Sequence, residues 1–160
     1  MDRRIVTLIS ASALLAVIVV VVLVTGGSDD SSVDLTDTSV RPVYEVSDEP
    51  APTELVTNDI VEGEGPAAKE GDDVSVQYVG ALYDTGEEFD ASWDRGQPFD
   101  VTLGGGTVIE GWDQGLIGMK AGGRRELIIP PDLGYGAGGQ PPTIPGDATL
   151  VFIVDMLSIN

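Results

Sequence analysis

The sequence contains no cysteine and no histidine. Without cysteine there is no disulfide framework, thiolate nucleophile, zinc–thiolate site or thiol for lipid attachment. Without histidine, Ser-His-Asp and Cys-His catalysis and imidazole metal sites drop out too, and with them a large share of ordinary hydrolases. Cations are scarce: 8 Lys and Arg stand against 27 Asp and Glu, for a net charge of −19. Phosphate binding needs clustered Lys and Arg, so nucleic acid is excluded as a partner, and a surface that repels anions is expected. The 160 residues, once the distinct first third is set aside, leave room for one domain of roughly 100 residues with a single core. No internal repeat is present.

Met1-Asp2-Arg3-Arg4 leads into an uncharged apolar run from Ile5 to Val24. About twenty residues at 1.5 Å each match the hydrocarbon thickness of a bilayer. A strand of that length is too long, and a core helix would be apolar around its whole circumference, so a membrane-spanning helix over residues 1–25 is expected. A cleavable signal peptide has a shorter apolar core, and Ala11-Ser12-Ala13 lies mid-run, out of a peptidase's reach. A cut near Thr25 or Gly26 would release the chain; an uncleaved anchor is the favoured reading. Arg3 and Arg4 on one side, against Asp29 and Asp30 on the other, orient the bulk of the chain outside the cytoplasm.

Residues 26–52 turn to Gly, Ser, Asp, Thr and Pro with scattered acids, and read as an acidic, disordered or loosely extended linker. Val40, Val43, Tyr44 and Val46 within it are spacer or a small docking motif. The folded part begins near Thr53, so a domain over residues 53–160 is expected. Leu55, Ile60 and Val61 suggest a first strand, and Val74 to Leu82 alternates with a period of two. Phe89-Asp90 follows a reversal at Thr85-Gly86-Glu87-Glu88. Further strands are expected at Phe99 to Leu103, Arg124 to Ile129 and Ala148 to Leu157. A single short helix is expected near Glu110 to Met119, broken by Gly118 and Gly122-Gly123. The fold class is therefore α+β, an antiparallel sheet wrapped over one short α-helix.

The chain is organised around the stretch Gly104 to Leu116, a glycine loop running into that helix. The first N–H groups of a helix lack intrahelical acceptors, so a carbonyl docked over Val108 and Ile109 finds a donor there. Trp112, one turn on, supplies an apolar floor. A long irregular connection from Pro130 to Asp147 is of the kind that carries function. Its Gly134-x-Gly136-x-Gly138-Gly139 is no dinucleotide fingerprint, because Pro141-Pro142 follows where a helix would have to open. Tyr135 and Ile144 read as loop tips leaning over a cleft.

Val76-Gln77-Tyr78-Val79-Gly80, Phe89-Asp90-Ala91-Ser92, Arg95-Gly96-Gln97-Pro98-Phe99, Val108-Ile109-Glu110-Gly111-Trp112, Gly134-Tyr135-Gly136 and Ala148-Thr149-Leu150-Val151-Phe152 together resemble the FKBP-type peptidyl-prolyl isomerases, the macrolide-binding immunophilins. The match runs from about Glu54 to Asn160 with the family's order and spacing. It implies a half-barrel antiparallel sheet around a short helix, with an apolar pocket between them. Carried over residue by residue, the pocket falls on Tyr78, Phe89, Asp90, Phe99, Val108, Ile109, Trp112, Tyr135, Ile144 and Phe152, with Arg95 behind, able to pair with Asp90. Each aromatic also has an ordinary reading as core, and Asp90 as a turn acid. Gln140 stands where the family often has histidine, Thr143 where it often has a bulky aliphatic, and Thr107 where an acid is common. These three mark the rim, and Gln140 and Thr143, with Arg95, Phe99, Val108 and Ile144, are taken as substrate contacts.

The resemblance implies rotation of Xaa-Pro bonds, with Tyr78, Phe89, Asp90, Ile109, Trp112, Tyr135 and Phe152 at the reacting amide; the orientation expected from the N-terminal run makes the substrates extracytoplasmic polypeptides. The rotation needs no metal or other cofactor, and the resemblance implies a macrolide as a further ligand. The chain is expected to be a monomer, held at the membrane by its first helix or secreted if that helix is cut. A prolyl-peptide binding module with little turnover is the alternative. Calcium binding is disfavoured, because Asp72-Asp73 and Glu87-Glu88 lack the spacing of a calcium loop.

Overall fold

The computed structural model describes residues 34–160. The expected span at Ile5 to Val24, the Asp29-Asp30 flank and the cleavage site near Thr25 lie outside the described residues. Among those described, no helix is long and apolar enough to cross a membrane.

Six strands form one antiparallel sheet: β1 (Val56–Val61), β2 (Asp73–Leu82), β3 (Glu88–Ala91), β4 (Phe99–Thr102), β5 (Arg124–Ile129) and β6 (Leu150–Ile159). The order is β1-β5-β6-β2-β3, with β4 also on β2. β2 pairs through Asp73–Val76 with β4 and through Val79–Ala81 with β3, so one long strand sets the positions of both. The strand expectations hold to within a residue or two.

Two corrections concern the helices. The expected single helix is the second of two: α1 (Ser92–Arg95) precedes α2 (Glu110–Gly115). α1 has only four residues, too few for a periodic signal, and stops at Gly96 in the left-handed conformation (φ 64°). α2 ends at Gly115, short of Met119, because Leu116 to Met119 turn back to pair with Ala68 through Gly118 N–H and Met119 C=O.

Alternation along β2, β5 and β6 gives the sheet two faces. Val74, Val76, Tyr78, Leu127, Ile129, Phe152 and Val154 point to the inner one, where they meet Trp112, Leu116 and Met119. Each such buried aliphatic or aromatic side chain contributes about 1.5–3 kcal/mol. α2 lies hard against β5. A Cβ on Gly111 would come within 2.5 Å of Ile129, and one on Gly115 within 2.8 Å of Leu127. Both ends of this short helix are tied. Asp113 accepts from the Gly104 and Gly106 N–H groups at 2.9 and 3.0 Å, and Arg125 donates to the Gly115 and Ile117 carbonyls at 2.9 and 2.8 Å. A cation at the carbonyl end of a helix adds about 0.3–1 kcal/mol.

The outer face is covered too. The stretch expected as a loose linker has no regular secondary structure from Asp34 on, yet it lies against the sheet. Tyr44 and Ala51 pack on Tyr83, Ile128 and Val151. The buried Arg124 gives hydrogen bonds to the Leu35, Asp37 and Val40 carbonyls. A segment poor in apolar residues is held because its backbone carbonyls satisfy a buried guanidinium.

Candidate active site

Between the inner face of the sheet, the start of α2 and the 130–147 connection lies a cleft of about 630 Å³. Its floor is the Trp112 ring, 3% exposed. Rings stand edge-on around it: Tyr78 at 5.0 Å and 89°, Phe152 at 5.3 Å and 87°, Phe99 at 5.9 Å and 79°. Such T-shaped pairs each add about 0.5–1.5 kcal/mol beyond burial, so the floor is rigid. Phe89 extends the wall, 5.5 Å from Phe152. The absence of a side chain at Gly80 makes this wall possible: a Cβ there would meet Phe152 at 2.7 Å and Phe89 at 2.9 Å.

Among the lining residues described, Asp90 is the one carboxylate. It accepts from the Tyr78 hydroxyl at 2.5 Å and from Arg95 Nη1 at 2.5 Å, while Arg95 Nη2 donates to the Tyr78 hydroxyl at 2.9 Å. The triangle fixes both carboxylate oxygens. The guanidinium also sits 5.6 Å from the centre of the Tyr78 ring. Burial, and after it the hydrogen bond to Asp90, pushes the Tyr78 phenol above its ordinary value, so it stays a donor. Tyr78 is placed from behind by Ser92, whose Oγ accepts the Tyr78 N–H at 2.7 Å and donates to Gln77.

The far wall comes from the loop into α2 and from the long connection. Val108 and Ile109 are half-buried, and Ile109 is the N-cap of α2, extended at ψ 149°. Its N–H has no acceptor among the described residues. The connection is not wholly irregular, as it contains single 3-10 turns at Pro131–Leu133 and Gly136–Gly138. Gln140 and Ile144 exchange two backbone hydrogen bonds at 2.8 and 3.0 Å, which turns Ile144 inward to 4% exposure. Tyr135 remains 37% exposed at the mouth, its phenol pushed up by burial and then by the charge of Asp90.

An aromatic cleft with a single braced carboxylate and a free N–H at a helix start suits a ligand that is apolar apart from its amides. Known proteins point the same way. A model of the FKBP-type peptidyl-prolyl cis-trans isomerase family matches residues 65–157. The chain belongs to this family.

It is a peptidyl-prolyl cis-trans isomerase of FKBP type. The FK506-binding protein of Streptomyces anulatus is 56% identical over 111 residues, 68% of this chain and 88% of its own length. A probable FK506-binding protein of Corynebacterium glutamicum is 50% identical over 118 residues, 74% of this chain and 98% of its own. Among solved structures, AtFKBP13 superimposes with a TM-score of 0.63 at 37% identity, over 69% of this chain and 96% of that one.

The FKBP fold brings the sequence-expected residues to one place. Tyr78, Phe89, Asp90, Phe99, Val108, Ile109, Trp112, Tyr135, Gln140, Thr143, Ile144 and Phe152 all line the cleft. Arg95 does not; it reaches Asp90 and Tyr78 from outside. Thr107, noted as a rim position, joins the lining. Sequence reasoning passed over Ser92 and Gly80 as functional positions although both stand inside quoted motifs. A serine following an aromatic-acid pair carries no signal of a buried hydroxyl until the register of β2 and β3 is known.

Proposed function

We propose that this isomerase rotates Xaa-Pro bonds of extracytoplasmic polypeptides in the cleft over Trp112. Rotation breaks no covalent bond, but it passes a twisted state without amide resonance, behind a barrier of about 18–20 kcal/mol. The planar amide is the more polar form, so an aromatic, water-poor floor favours the twisted one. The proline ring stacks on Trp112. The substrate carbonyl accepts from the Ile109 N–H, and the Tyr135 hydroxyl donates to a neighbouring carbonyl. Asp90 supplies a fixed negative field beside the carbonyl carbon as it rotates, and its bracing means no reorganisation is needed at that moment. The observation that carries this reading is the Tyr78–Asp90–Arg95 triangle at the edge of an otherwise uncharged cleft.

The same cleft is the proposed site for a macrolide, supported by the FK506-binding names of the relatives. Gln140, Thr143 and Thr107 at its rim set the preference among residues flanking proline. The chain works as a monomer outside the cytoplasm, tethered by an uncleaved helix near Ile5 to Val24; the apolar run and its flanking charges support this. The test has two arms. The full chain is assayed on a panel of Xaa-Pro peptides beside Asp90→Val, which should lose most turnover while still binding peptide. Intact cells are treated with external protease, which should remove the domain while the chain fractionates with membranes. Full turnover by Asp90→Val would refute the site, and protection from protease the location.

A further inference from the structure

We propose that residues 34–51 are a strap belonging to the active site, and that Arg41 within it is a positioning residue for Asp90. The inference rests on the role given to Asp90 above. The strap is pinned at two points. Upstream, every N–H of the Arg124 guanidinium is taken: Nη1 and Nη2 donate to the Leu35, Asp37 and Val40 carbonyls at 3.0, 3.2 and 2.8 Å. Nε and Nη2 hold the Asp155 carboxylate at 2.5 and 3.0 Å. Arg124 is 0% and Asp155 2% exposed, so lifting the strap would strip the buried guanidinium of its three carbonyl acceptors and leave it with Asp155 alone. Downstream, the Tyr44 hydroxyl donates to the Tyr83 carbonyl, and the Tyr83 hydroxyl to the Glu49 carbonyl, each at 3.2 Å.

Arg41 stands between these pins. Its Nη2 pairs with Glu88, and its Nε reaches Asp94 at 3.2 Å. Glu88 opens β3 and Asp94 lies in α1, so one guanidinium ties together the two sides of the short segment that presents Phe89, Asp90 and Arg95 to the cleft. A partly exposed ion pair on a free segment is worth little, because both side chains must be ordered to make it. Here the backbone under Arg41 is already fixed on either side, which removes much of that entropic opposition. What the tie sets is the angle at which the Asp90 carboxylate meets the rotating amide. Loss of the tie should therefore act on the chemical step more than on binding.

The experiment uses the full chain with Arg41→Ala, Arg41→Lys, Asp90→Ala and the Arg41→Ala/Asp90→Ala double variant, measuring kcat, KM and the melting midpoint on one Xaa-Pro peptide. Arg41→Ala should lower kcat about two- to fivefold with KM and midpoint close to the parent's. Arg41→Lys should recover most of that loss. In the Asp90→Ala background the Arg41 effect should vanish, as expected for residues acting in series. If Asp90→Ala is impaired while Arg41→Ala is not, the positioning role is wrong and the reading of Asp90 stands. An Arg41 loss of equal size with and without Asp90, or one that follows a fallen midpoint, overturns it too. An unimpaired Asp90→Ala overturns both.

Discussion

Tyr78→Phe removes one oxygen from the braced triangle and leaves the ring. The edge-on contact with Trp112 at 5.0 Å survives, so the floor should keep its shape. Lost are the bond the hydroxyl gives to Asp90 and the one it takes from Arg95. A hydrogen bond to a charged partner is worth about 1.5–3 kcal/mol when fully buried. The Asp90 and Arg95 side chains are 42% and 50% exposed, so water replaces part of that, and about 1 kcal/mol is the reasonable share. If the triangle serves to hold Asp90 for the twisted amide, the loss appears in kcat as roughly a fivefold fall, with KM little changed. The assay is exchange-resolved turnover of an Xaa-Pro peptide at several concentrations, with a melting curve to verify folding. An unchanged kcat, or a change confined to KM, would refute the argument that bracing Asp90 matters to the chemical step.

Other perturbations test separate links. Gly80→Ala places a methyl within 2.9 Å of both phenylalanine rings of the wall, so it should push them into the cleft, destabilise by about 1–3 kcal/mol in a denaturant titration and raise KM. Leu127→Ala, wholly buried beneath α2, should cost about 2–5 kcal/mol by the same titration. With no histidine or cysteine to titrate, kcat/KM should be flat from about pH 6 to about pH 9. Because the Tyr78 phenol is raised above 10.0, the hydrogen bond it donates is fully present below that value and is lost only as pH rises past it, so the decline belongs above pH 10. Each described Lys and Arg is paired with an acid, which leaves an anionic surface. Peptides with lysine beside the proline should thus show higher kcat/KM at low salt, an advantage that fades by about 0.5 M salt.

The strands of the inner face were legible because alternation is a direct image of one buried side: Arg124 to Ile129 stands as read, and β2 differs by one residue. Much of the cleft was legible because its residues sit in six separate motifs whose order and spacing resemble one family. The outer cover was not. Leu150-Val151-Phe152-Ile153-Val154 is apolar on both faces, a sign that something shields the back of β6, yet the shield is a polar stretch with few apolar residues of its own. Composition measures side chains, and the strap holds chiefly through backbone carbonyls on Arg124, which composition does not register. α1 was missed for a related reason: one turn fixed by Gly96 and by the Ser92 hydroxyl leaves no periodic trace.

The central claim is that the prolyl amide turns over the Trp112 floor. The Trp112 indole N–H is buried without an acceptor among the described residues, which makes its NMR resonance a local reporter. The direct measurement follows that resonance and the cis–trans exchange rate of an Xaa-Pro peptide together, in the parent chain and in Trp112→Leu. The account predicts that peptide shifts the indole signal in proportion to the exchange it catalyses, and that the folded variant loses most of the acceleration. An indole signal indifferent to peptide, or a folded Trp112→Leu that turns peptide over like the parent, would contradict it.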